Sequence, residues 1–345
     1  MIFAAKQLFK IYLKIKNSNF HRNRYRLMQT QRLSRLKQSI KSKEGKNLLA
    51  NFFSLSLLQV AAYIFPLITL PYLAKVIGIN YFGEIAFASA VMVYLSTIVD
   101  YGFVFSGVRD IARVRDDLDA VSEIYSRIMW SRFVLVGISF IILTALIICV
   151  PQFYEKKAVL YATFLLVIGT ALFPDWMFQA LEKMKYITIF NVLVKLLFTV
   201  SVFIFIKKPE DYLLQPILTS LGYIVSGICS MWLINKWGIR MYRPGLRKIK
   251  ESIKSNFDLF LNQIVPNLYN SMSVLLLGFF HGNAANALFD VGNRFTTAGV
   301  SFFNIISRTF FPFLSRKMSK HTFYLKLNVV LSLLMSVAMF IAAPW

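Results

Sequence analysis

The sequence is poor in the residues that build catalytic, metal and disulfide sites. Its 345 residues include two cysteines and three histidines. Cys149 and Cys229 each lie within an apolar run, where a cysteine is typically a packing residue, and His21, His281 and His321 lack the spacing of metal ligands. Neither a phosphate-binding glycine loop nor a polar domain able to hold a Ser, His and Asp set is present. The sequence therefore predicts no enzyme, no metal centre and no bound cofactor.

Acidic residues are also scarce, with 16 Asp and Glu against 39 Lys and Arg, for a formal net charge of +23. In a soluble protein this balance would indicate a nucleic-acid partner. However, 57% of the residues are hydrophobic and the mean hydropathy is +0.58, more than a soluble protein of this length can bury. Membrane proteins collect Lys and Arg in cytoplasmic loops, so no nucleic acid is expected.

The apolar residues form nine blocks of about 20 residues, the length at which a helix spans the hydrocarbon core of a bilayer. We therefore predict an all-α polytopic membrane protein with about nine transmembrane helices, arranged as a six-helix bundle and a partial second bundle. The blocks are 48–74, 83–106, 129–150, 158–182, 186–206, 213–235, 256–280, 285–312 and 323–342.

Basic residues are distributed unequally between the connections of these spans. Residues 1–46 contain thirteen Lys or Arg and one acid, Glu44. By the positive-inside rule this segment is cytoplasmic, and alternate connections then fall on the same side. The cations of the predicted inward connections are Arg109, Arg113, Arg115, Arg127, Lys183, Lys185, the basic residues of 236–255, Arg316, Lys317 and Lys320. Those of the predicted outward connections are Lys75, Lys156, Lys157, Lys207 and Lys208.

The connection "WGIRMYRPGLRKIKESIKS" separates six predicted spans from three and contains a Pro-Gly pair, which is typical of a linker. The predicted organisation is a basic cytoplasmic segment (1–46), a six-helix bundle (47–236), a basic cytoplasmic linker (237–255) and a partial bundle of three helices (256–345). Met28 is an alternative to Met1 as the first residue.

Polar and charged residues recur within the spans at helical spacing. A charge at the centre of a bilayer costs roughly 2.5–3.5 kcal/mol on insertion scales, so such residues face a protein interior or a water-filled cavity. For the uncharged residues two explanations stay open, namely hydrogen bonds between helices and a shared wet cavity. The candidate cavity residues are the amides and hydroxyls Gln179, Gln215, Tyr223, Asn262 and Asn270, the acids Asp175, Glu182, Asp258 and Asp290, and the cations Lys195, Arg294 and Arg308.

The segment "ALFPDWMFQALEKMKYITIF" places a proline and a carboxylate between two apolar runs. Asp175, Gln179 and Glu182 share one helical face, and Pro174 can bend the span beside Asp175. Lys195 lies in the next span at nearly the same depth, given a rise of about 1.5 Å per residue. We therefore expect Asp175 to pair with Lys195, either within a polar interior surface or as a purely structural pair.

Several motifs together resemble the polysaccharide transporters, the Wzx-type O-unit flippases of the multidrug/oligosaccharidyl-lipid/polysaccharide exporter superfamily. Residues 66–117, "PLITLPYLAKVIGINYFGEIAFASAVMVYLSTIVDYGFVFSGVRDIARVRDD", and 172–188, "LFPDWMFQALEKMKYIT", carry most of the resemblance. Residues 277–295 and 310–319 add weaker support. The resemblance covers about residues 47 to 325.

The resemblance implies two helical bundles around a central cavity that opens alternately to each side of the inner membrane. It implies transfer of undecaprenyl-pyrophosphate-linked oligosaccharide, O-antigen or another surface polysaccharide, from the cytoplasmic to the outer leaflet, coupled to H⁺ or Na⁺. On this basis Lys195, Arg294 and Arg308 would hold pyrophosphate or acidic sugars, and the coupling acids would come from Asp175, Asp258 and Asp290. The expected partners are this substrate, membrane lipids and other polysaccharide-assembly proteins.

One departure from the family pattern leaves alternatives open. Such transporters usually have twelve or more spans, and nine are predicted here, so we expect a chain truncated at its C-terminus. An inactive remnant is therefore one alternative. Another is a drug or small-cation exporter of the same superfamily, which favours a net acidic cavity. A membrane glycosyltransferase or O-antigen polymerase would need a large catalytic loop, which the sequence lacks.

Overall fold

A computed structural model describes residues 43–294 and 296–297 of the chain, and describes side chains from Ile64 onward except at positions 66, 67, 269 and 270. The described residues are helical and contain no strand, which confirms the all-α prediction. The helices are α1 (Lys43–Asp100), α2 (Phe103–Arg113), α3 (Leu118–Cys149), α4 (Pro151–Glu155), α5 (Lys157–Leu172), α6 (Asp175–Ala180), α7 (Lys185–Phe205), a 3-10 turn (Pro209–Leu213), α8 (Leu214–Lys236), α9 (Leu246–Ser255) and α10 (Phe257–Phe280), followed by helical residues 282–294.

Five segments of the described part are long and apolar enough to span a membrane, and they correspond to the predicted spans two to six. This confirms a multi-pass membrane protein, and α10 matches the predicted span seven. The ninth predicted span and most of the eighth lie outside the described residues, so the total of nine and the partial second bundle stay predictions. The five segments are Ile68–Arg113, Leu118–Cys149, Lys157–Ala180, Lys185–Phe205 and Pro209–Lys236.

The long helix α1 is broken at Gly78, whose φ of 78° and ψ of 163° are not helical. A side chain with a Cβ adopts such a φ only rarely, so glycine suits this position. Phe65 and Ser89 line the same cavity, although 24 residues of continuous helix would hold them about 36 Å apart. The chain therefore reverses direction at Gly78, and α1 comprises the first two predicted spans joined by a tight turn.

Helices α5 and α8 approach each other closely at two glycines. A Cβ on Gly169 would lie 2.8 Å from the Cβ of Tyr223, and one on Gly227 would lie 2.5 Å from the Cβ of Leu172. Real Cβ atoms do not approach neighbours this closely, so the backbones can be this near only because both residues lack a side chain. Small residues at helix interfaces have this role in membranes, and here they fix the position of α8.

Three predicted inward connections meet at one end of the helices. Their contacts join residues 107–128, 183–185 and 236–255, which supports the grouping that the positive-inside rule gives. The pKa of Lys183 is lowered mainly by its partial burial and further by the nearby positive charge of Lys185. The contacts are Arg115 Nη1 with Glu182 Oε1 (3.0 Å), Lys183 Nζ over the Trp237 ring (3.5 Å to the centroid) and Lys248 Nζ with Glu123 Oε1 (2.6 Å).

The predicted outward connections gather at the opposite end of α3 and α7. The hydroxyl of Tyr72 donates to the carbonyl of Ile206 at 2.7 Å. The rings of Tyr81 and Tyr212 stack with their centroids 4.2 Å apart. These contacts bring the connections at 75–82 and 207–212 together, as predicted. Arg316, Lys317 and Lys320 of the last predicted inward connection lie outside the described residues, and the assignment of one end to the cytoplasm stays a prediction.

The predicted linker 237–255 is folded against α3. The hydroxyl oxygens of Ser122 and Ser126 accept from the backbone N–H groups of Arg240 and Tyr242, each at 3.1 Å. Helix α9 follows, and the hydrogen bond from Lys248 to Glu123 raises the pKa of Lys248. The segment thus places a short basic helix beside the start of α3.

The glycine contacts predict opposite effects for two substitutions. Gly169→Ala should lower the thermal unfolding temperature in detergent, because overpacking a well-filled interface typically costs about 1–3 kcal/mol. Gly137→Ala, on α3 with open space around the added Cβ, should leave it unchanged or raise it, because alanine favours helix over glycine by about 1 kcal/mol. Tryptophan fluorescence during heating measures both. Equal shifts in the two variants would contradict the proposed close approach of α5 and α8.

Candidate functional site

A cavity of about 230 Å³ lies between α1, α7, α8 and the helical residues 282–294. Helix α1 contributes mostly apolar side chains to its wall, and every charged or amide side chain of the lining comes from the other helices. We call it the polar cavity, defined by Lys195, Gln215, Thr219, Tyr223 and Arg294. Four of these five residues are candidates named from the sequence, and Thr219 belongs to the same polar stripe as Gln215 and Tyr223, so the structure brings together residues from three separate predicted spans.

The cavity face of α8 follows from the spacing of its polar residues. Gln215, Thr219 and Tyr223 recur every four residues, which places them on one side of the helix. The same stripe continues to Ser226 and Ser230, but these are buried, and the Ser230 hydroxyl donates to the carbonyl of Gly227 within its own helix at 2.7 Å. The first half of the stripe therefore lines the polar cavity, and the second half is buried by packing between helices.

The charges in the polar cavity are unequally neutralised. Arg294 Nε lies 2.7 Å from Asp290 Oδ2, so Asp290 offsets its charge. Lys195 is half-buried, and within the described part of the chain no carboxylate forms an ion pair with it. An unpaired cation is costly among apolar helices, and an anion bound there would form strong charge-assisted hydrogen bonds.

Pro174 divides the fourth predicted span into two helices, because α5 ends at Leu172 and α6 begins at Asp175. One carboxylate oxygen of Asp175 accepts from the backbone N–H of Trp176 at 2.8 Å. The predicted ion pair of Asp175 with Lys195 is absent from the structure, so that prediction is wrong. The break at Pro174 turns the carboxylate towards a different cation, which lies on α3.

That cation is Arg132, whose side chain is 3% exposed. It donates through Nη2 to Asp100 Oδ1 at 2.5 Å and to the carbonyl of Thr170 at 3.1 Å, and through Nη1 to the carbonyl of Phe173 at 3.4 Å. Both residues lie just before the helix break, where Pro174 lacks the N–H that would continue the helical bonding. Their carbonyls also accept from the backbone N–H groups of Phe173 and Asp175, and Arg132 adds a buried side-chain donor to each.

Asp175 also interacts electrostatically with Arg132 and Asp100. We call these three residues the Arg132 cluster. It contains one cation and two carboxylates, and a single proton or monovalent cation would balance it. Sequence reasoning missed Arg132 and Asp100, although the signal was present, because Arg132 is the one charged residue of the block 129–150.

Other predicted site residues lie away from the polar cavity. Glu182 is exposed at the end of α6, has a φ of 56° and pairs with Arg115. Gln179 is half-buried on α6, and Asp258 and Asn262 are exposed on α10. None of these four candidates lines the polar cavity.

The remaining two candidates cannot be placed: Arg308 lies outside the described residues, and so does the side chain of Asn270. Two other polar residues of α10, Gln263 and Asn267, form hydrogen bonds to the chain around the end of α1. Gln263 Oε1 accepts from the backbone N–H of Gly102 at 3.0 Å, and Asn267 Nδ2 donates to Thr97 Oγ1 at 2.7 Å. Within the described residues, no group of three His, Cys, Asp or Glu side chains could hold a metal ion.

A second depression adjoins the polar cavity. This apolar groove, of about 410 Å³, lies between α7 and α8 and is lined by leucines, isoleucine, valine and phenylalanine. Val194 and Phe198 line both the groove and the polar cavity. A ligand with a polar head and an apolar tail could therefore contact both at once.

Comparison with known proteins identifies the family. A family model described as "Polysaccharide biosynthesis protein" matches residues 48–318. A relative from Escherichia coli (strain K12), named "Putative O-antigen transporter", is 30% identical over 267 residues, which cover 77% of this chain and 64% of the relative. A relative of the same name from Shigella dysenteriae is 32% identical over 273 residues, covering 77% of this chain and 67% of the relative.

The chain thus spans about two thirds of the length of these relatives. No solved structure matches it. The family match extends over both stretches that carry most of the resemblance to polysaccharide transporters, which confirms that resemblance, and the chain belongs to the polysaccharide biosynthesis protein family.

Proposed function

We propose that this protein is a polysaccharide transporter that moves lipid-linked oligosaccharide units, of the O-antigen type, from the cytoplasmic to the outer leaflet of the inner membrane. The family match and the names of the two relatives support this class of cargo. The observation that carries the proposal is the polar cavity. There Lys195, which forms no ion pair with any described residue, lies among hydroxyl and amide groups within membrane-spanning helices.

The polar cavity suits the head group of such a substrate. A sugar cannot enter hydrocarbon unless other groups replace its hydrogen bonds to water, and Gln215, Thr219 and Tyr223 provide donors and acceptors for this. Lys195 and Arg294 would bind the pyrophosphate or an acidic sugar. Drug-sized ligands occupy roughly 300–1,000 Å³, so a cavity of about 230 Å³ must widen to admit an oligosaccharide.

The apolar groove suits the lipid part of the same substrate. Its position between α7 and α8 lets a polyprenyl tail remain in the bilayer while the pyrophosphate reaches Lys195, which directly follows the shared residue Val194. Burying such a tail against apolar side chains avoids moving it through a polar interior. The boundary between the head group and the lipid tail would therefore lie at Val194 and Phe198.

The Arg132 cluster is our candidate for ion coupling. With both carboxylates ionised it would carry a net negative charge, and binding of H⁺ or Na⁺ would remove the cost of that charge between membrane-spanning helices. Arg132 also donates to the carbonyls of Thr170 and Phe173. If ion binding changed its salt bridge to Asp100, these hydrogen bonds beside the helix break would change as well. Asp258 is exposed and Asp290 pairs with its own cation, Arg294. Asp100 and Asp175 are favoured over them because these two carboxylates share the single cation Arg132.

Export of drugs or small cations fits the site less well. Lys195 and Arg294 line the polar cavity and Asp290 neutralises one of them, so the cavity would repel a cationic cargo. Inactivity of the chain is the other alternative, and complementation in the host distinguishes it.

We expect deletion of the gene in its native host to leave lipid-linked oligosaccharide on the cytoplasmic leaflet and to remove surface polysaccharide, and the 345-residue chain to restore both. Lys195→Ala should lower restoration about 10-fold or more, because a hydrogen bond to a charged group contributes about 1.5–3 kcal/mol. Lys195→Arg should retain more activity. The measurement is the amount of surface glycan together with the leaflet distribution of its lipid-linked precursor.

Lys207→Ala is the matched control, because Lys207 is an exposed lysine just after α7 and outside the polar cavity. Unchanged glycan and precursor after gene deletion would refute transport. Failure of the wild-type chain to restore them would favour the inactive alternative. Full restoration by Lys195→Ala would refute the role of the polar cavity but not the transport function.

Neutralising one acid of the Arg132 cluster should uncouple transport from its ion gradient. In proteoliposomes, Asp175→Asn should abolish the acceleration of substrate transfer by an imposed H⁺ or Na⁺ gradient while the protein stays folded, because an amide oxygen can still accept from Trp176. Glu210→Gln is the control, because Glu210 is an exposed acid before α8, and this variant should show the wild-type acceleration by the gradient. A normal gradient response in both Asp175→Asn and Asp100→Asn would exclude the cluster from coupling.

A further inference from the structure

We infer that the crevice between α3 and α9 is a binding site for an anionic phospholipid, separate from the transport path. The crevice has a volume of about 380 Å³. We call it the α3–α9 crevice, and define it by Trp130 and Val134 on α3 and by Arg243, Leu246 and Ile249 at the start of α9. None of its residues lines the polar cavity or the apolar groove.

The length of α3 places this crevice at the membrane surface. The helix has 32 residues and is about 48 Å long, whereas the hydrocarbon core is about 30 Å thick. If its C-terminal end coincides with one boundary of the core, about 12 residues project from the other boundary, which then lies near Trp130. Tryptophan is enriched at this level of a membrane.

The walls of the crevice are apolar on the side that faces the hydrocarbon. Val134 is 39% exposed and lies one turn deeper than Trp130, and Leu246 is 78% exposed. An exposed leucine at the membrane boundary gains free energy by contact with an acyl chain, because its apolar surface is then removed from water. Ile249 is buried and anchors α9, so Leu246 is left on the open side.

The rim of the crevice is cationic. The guanidinium of Arg243 lies 5.7 Å from the centre of the Trp130 ring. Two nearby acids, Glu123 and Glu251, already pair with Lys248 and Arg247. Within the described residues Arg243 forms no ion pair, so its charge is available to a phosphate.

Two further groups in the crevice favour an anion with acceptor oxygens. Gly245 precedes α9 and provides no side-chain cap, so the first N–H groups of the helix need acceptors and give its N-terminus a partial positive charge. The indole N–H of Trp130 is buried and has no acceptor among the described residues. The phosphate of a phospholipid could accept hydrogen bonds from the helix N-terminus and from Arg243 together. Its acyl chains could contact Val134 and Leu246.

The charge of the whole segment supports an anionic lipid over a zwitterionic one. Residues 236–255 contain seven Lys or Arg and one acid, Glu251. Basic residues close to an anionic membrane surface contribute about 1 kcal/mol each. The combination of apolar wall and basic rim therefore fits a phospholipid such as phosphatidylglycerol.

Quenching of Trp130 fluorescence tests this proposal. The full chain is reconstituted with phosphatidylglycerol or phosphatidylcholine brominated on the acyl chains, and the Trp130 signal is obtained as the difference between wild type and Trp130→Phe. We expect brominated phosphatidylglycerol to quench this component at about a fivefold lower mole fraction than brominated phosphatidylcholine. Arg243→Ala should remove most of that preference, as loss of one basic residue at the surface predicts.

Lys254→Ala is the matched control, because Lys254 is an exposed basic residue of α9 that does not line the crevice. It should keep the lipid preference, and gel filtration with thermal unfolding checks that every variant is folded. Equal quenching by the two lipids in the wild type would overturn the proposal. An equal loss of preference in Lys254→Ala and Arg243→Ala would also overturn it, since the attraction would then be diffuse. Inorganic phosphate that relieves the quenching would show that the site prefers a free anion to a lipid.

Discussion

The helix break at Pro174 imposes the constraint on which much of the described structure depends. Hydrocarbon provides no water to bind the backbone groups that a break releases, so the protein itself must satisfy them. Backbone N–H groups of Phe173 and Asp175, together with the guanidinium of Arg132, do this for the carbonyls of Thr170 and Phe173, and Asp100 makes the buried guanidinium tolerable. One side chain on α3 thereby joins the end of α1 to the end of α5 beside the break.

This arrangement brings the two polar features of the protein into physical connection. Thr170, whose carbonyl accepts from Arg132, is adjacent to Gly169, and Gly169 faces Tyr223 of the polar cavity where α5 and α8 pack closely. Helix α1 forms a second link, since Ser89 lines the polar cavity and Asp100 belongs to the Arg132 cluster. Densely packed interiors transmit strain, so these contacts are the route by which the proposed ion coupling at Arg132 would reach the cavity wall.

At the end of the molecule where the basic connections meet, charge and apolar surface are combined. Ser122 and Ser126 hold the extended chain before α9, which sets Arg243 and Leu246 beside Trp130. The basic residues of 236–255 are predicted to orient the chain by the positive-inside rule, and one of them, Arg243, lines a defined crevice. The segment predicted as a linker is a docked part of the fold.

Features that depend on spacing along one helix followed from the sequence alone. Apolar length predicted the spans, the distribution of Lys and Arg predicted which connections lie together, and the four-residue period of Gln215, Thr219 and Tyr223 predicted the polar face of α8. Features that depend on how helices are rotated about their axes did not follow. Residue counting gave Asp175 and Lys195 the same depth, but depth does not define direction. Only the tertiary structure showed that the break at Pro174 turns Asp175 towards Arg132, because that direction is set by packing between helices distant in sequence.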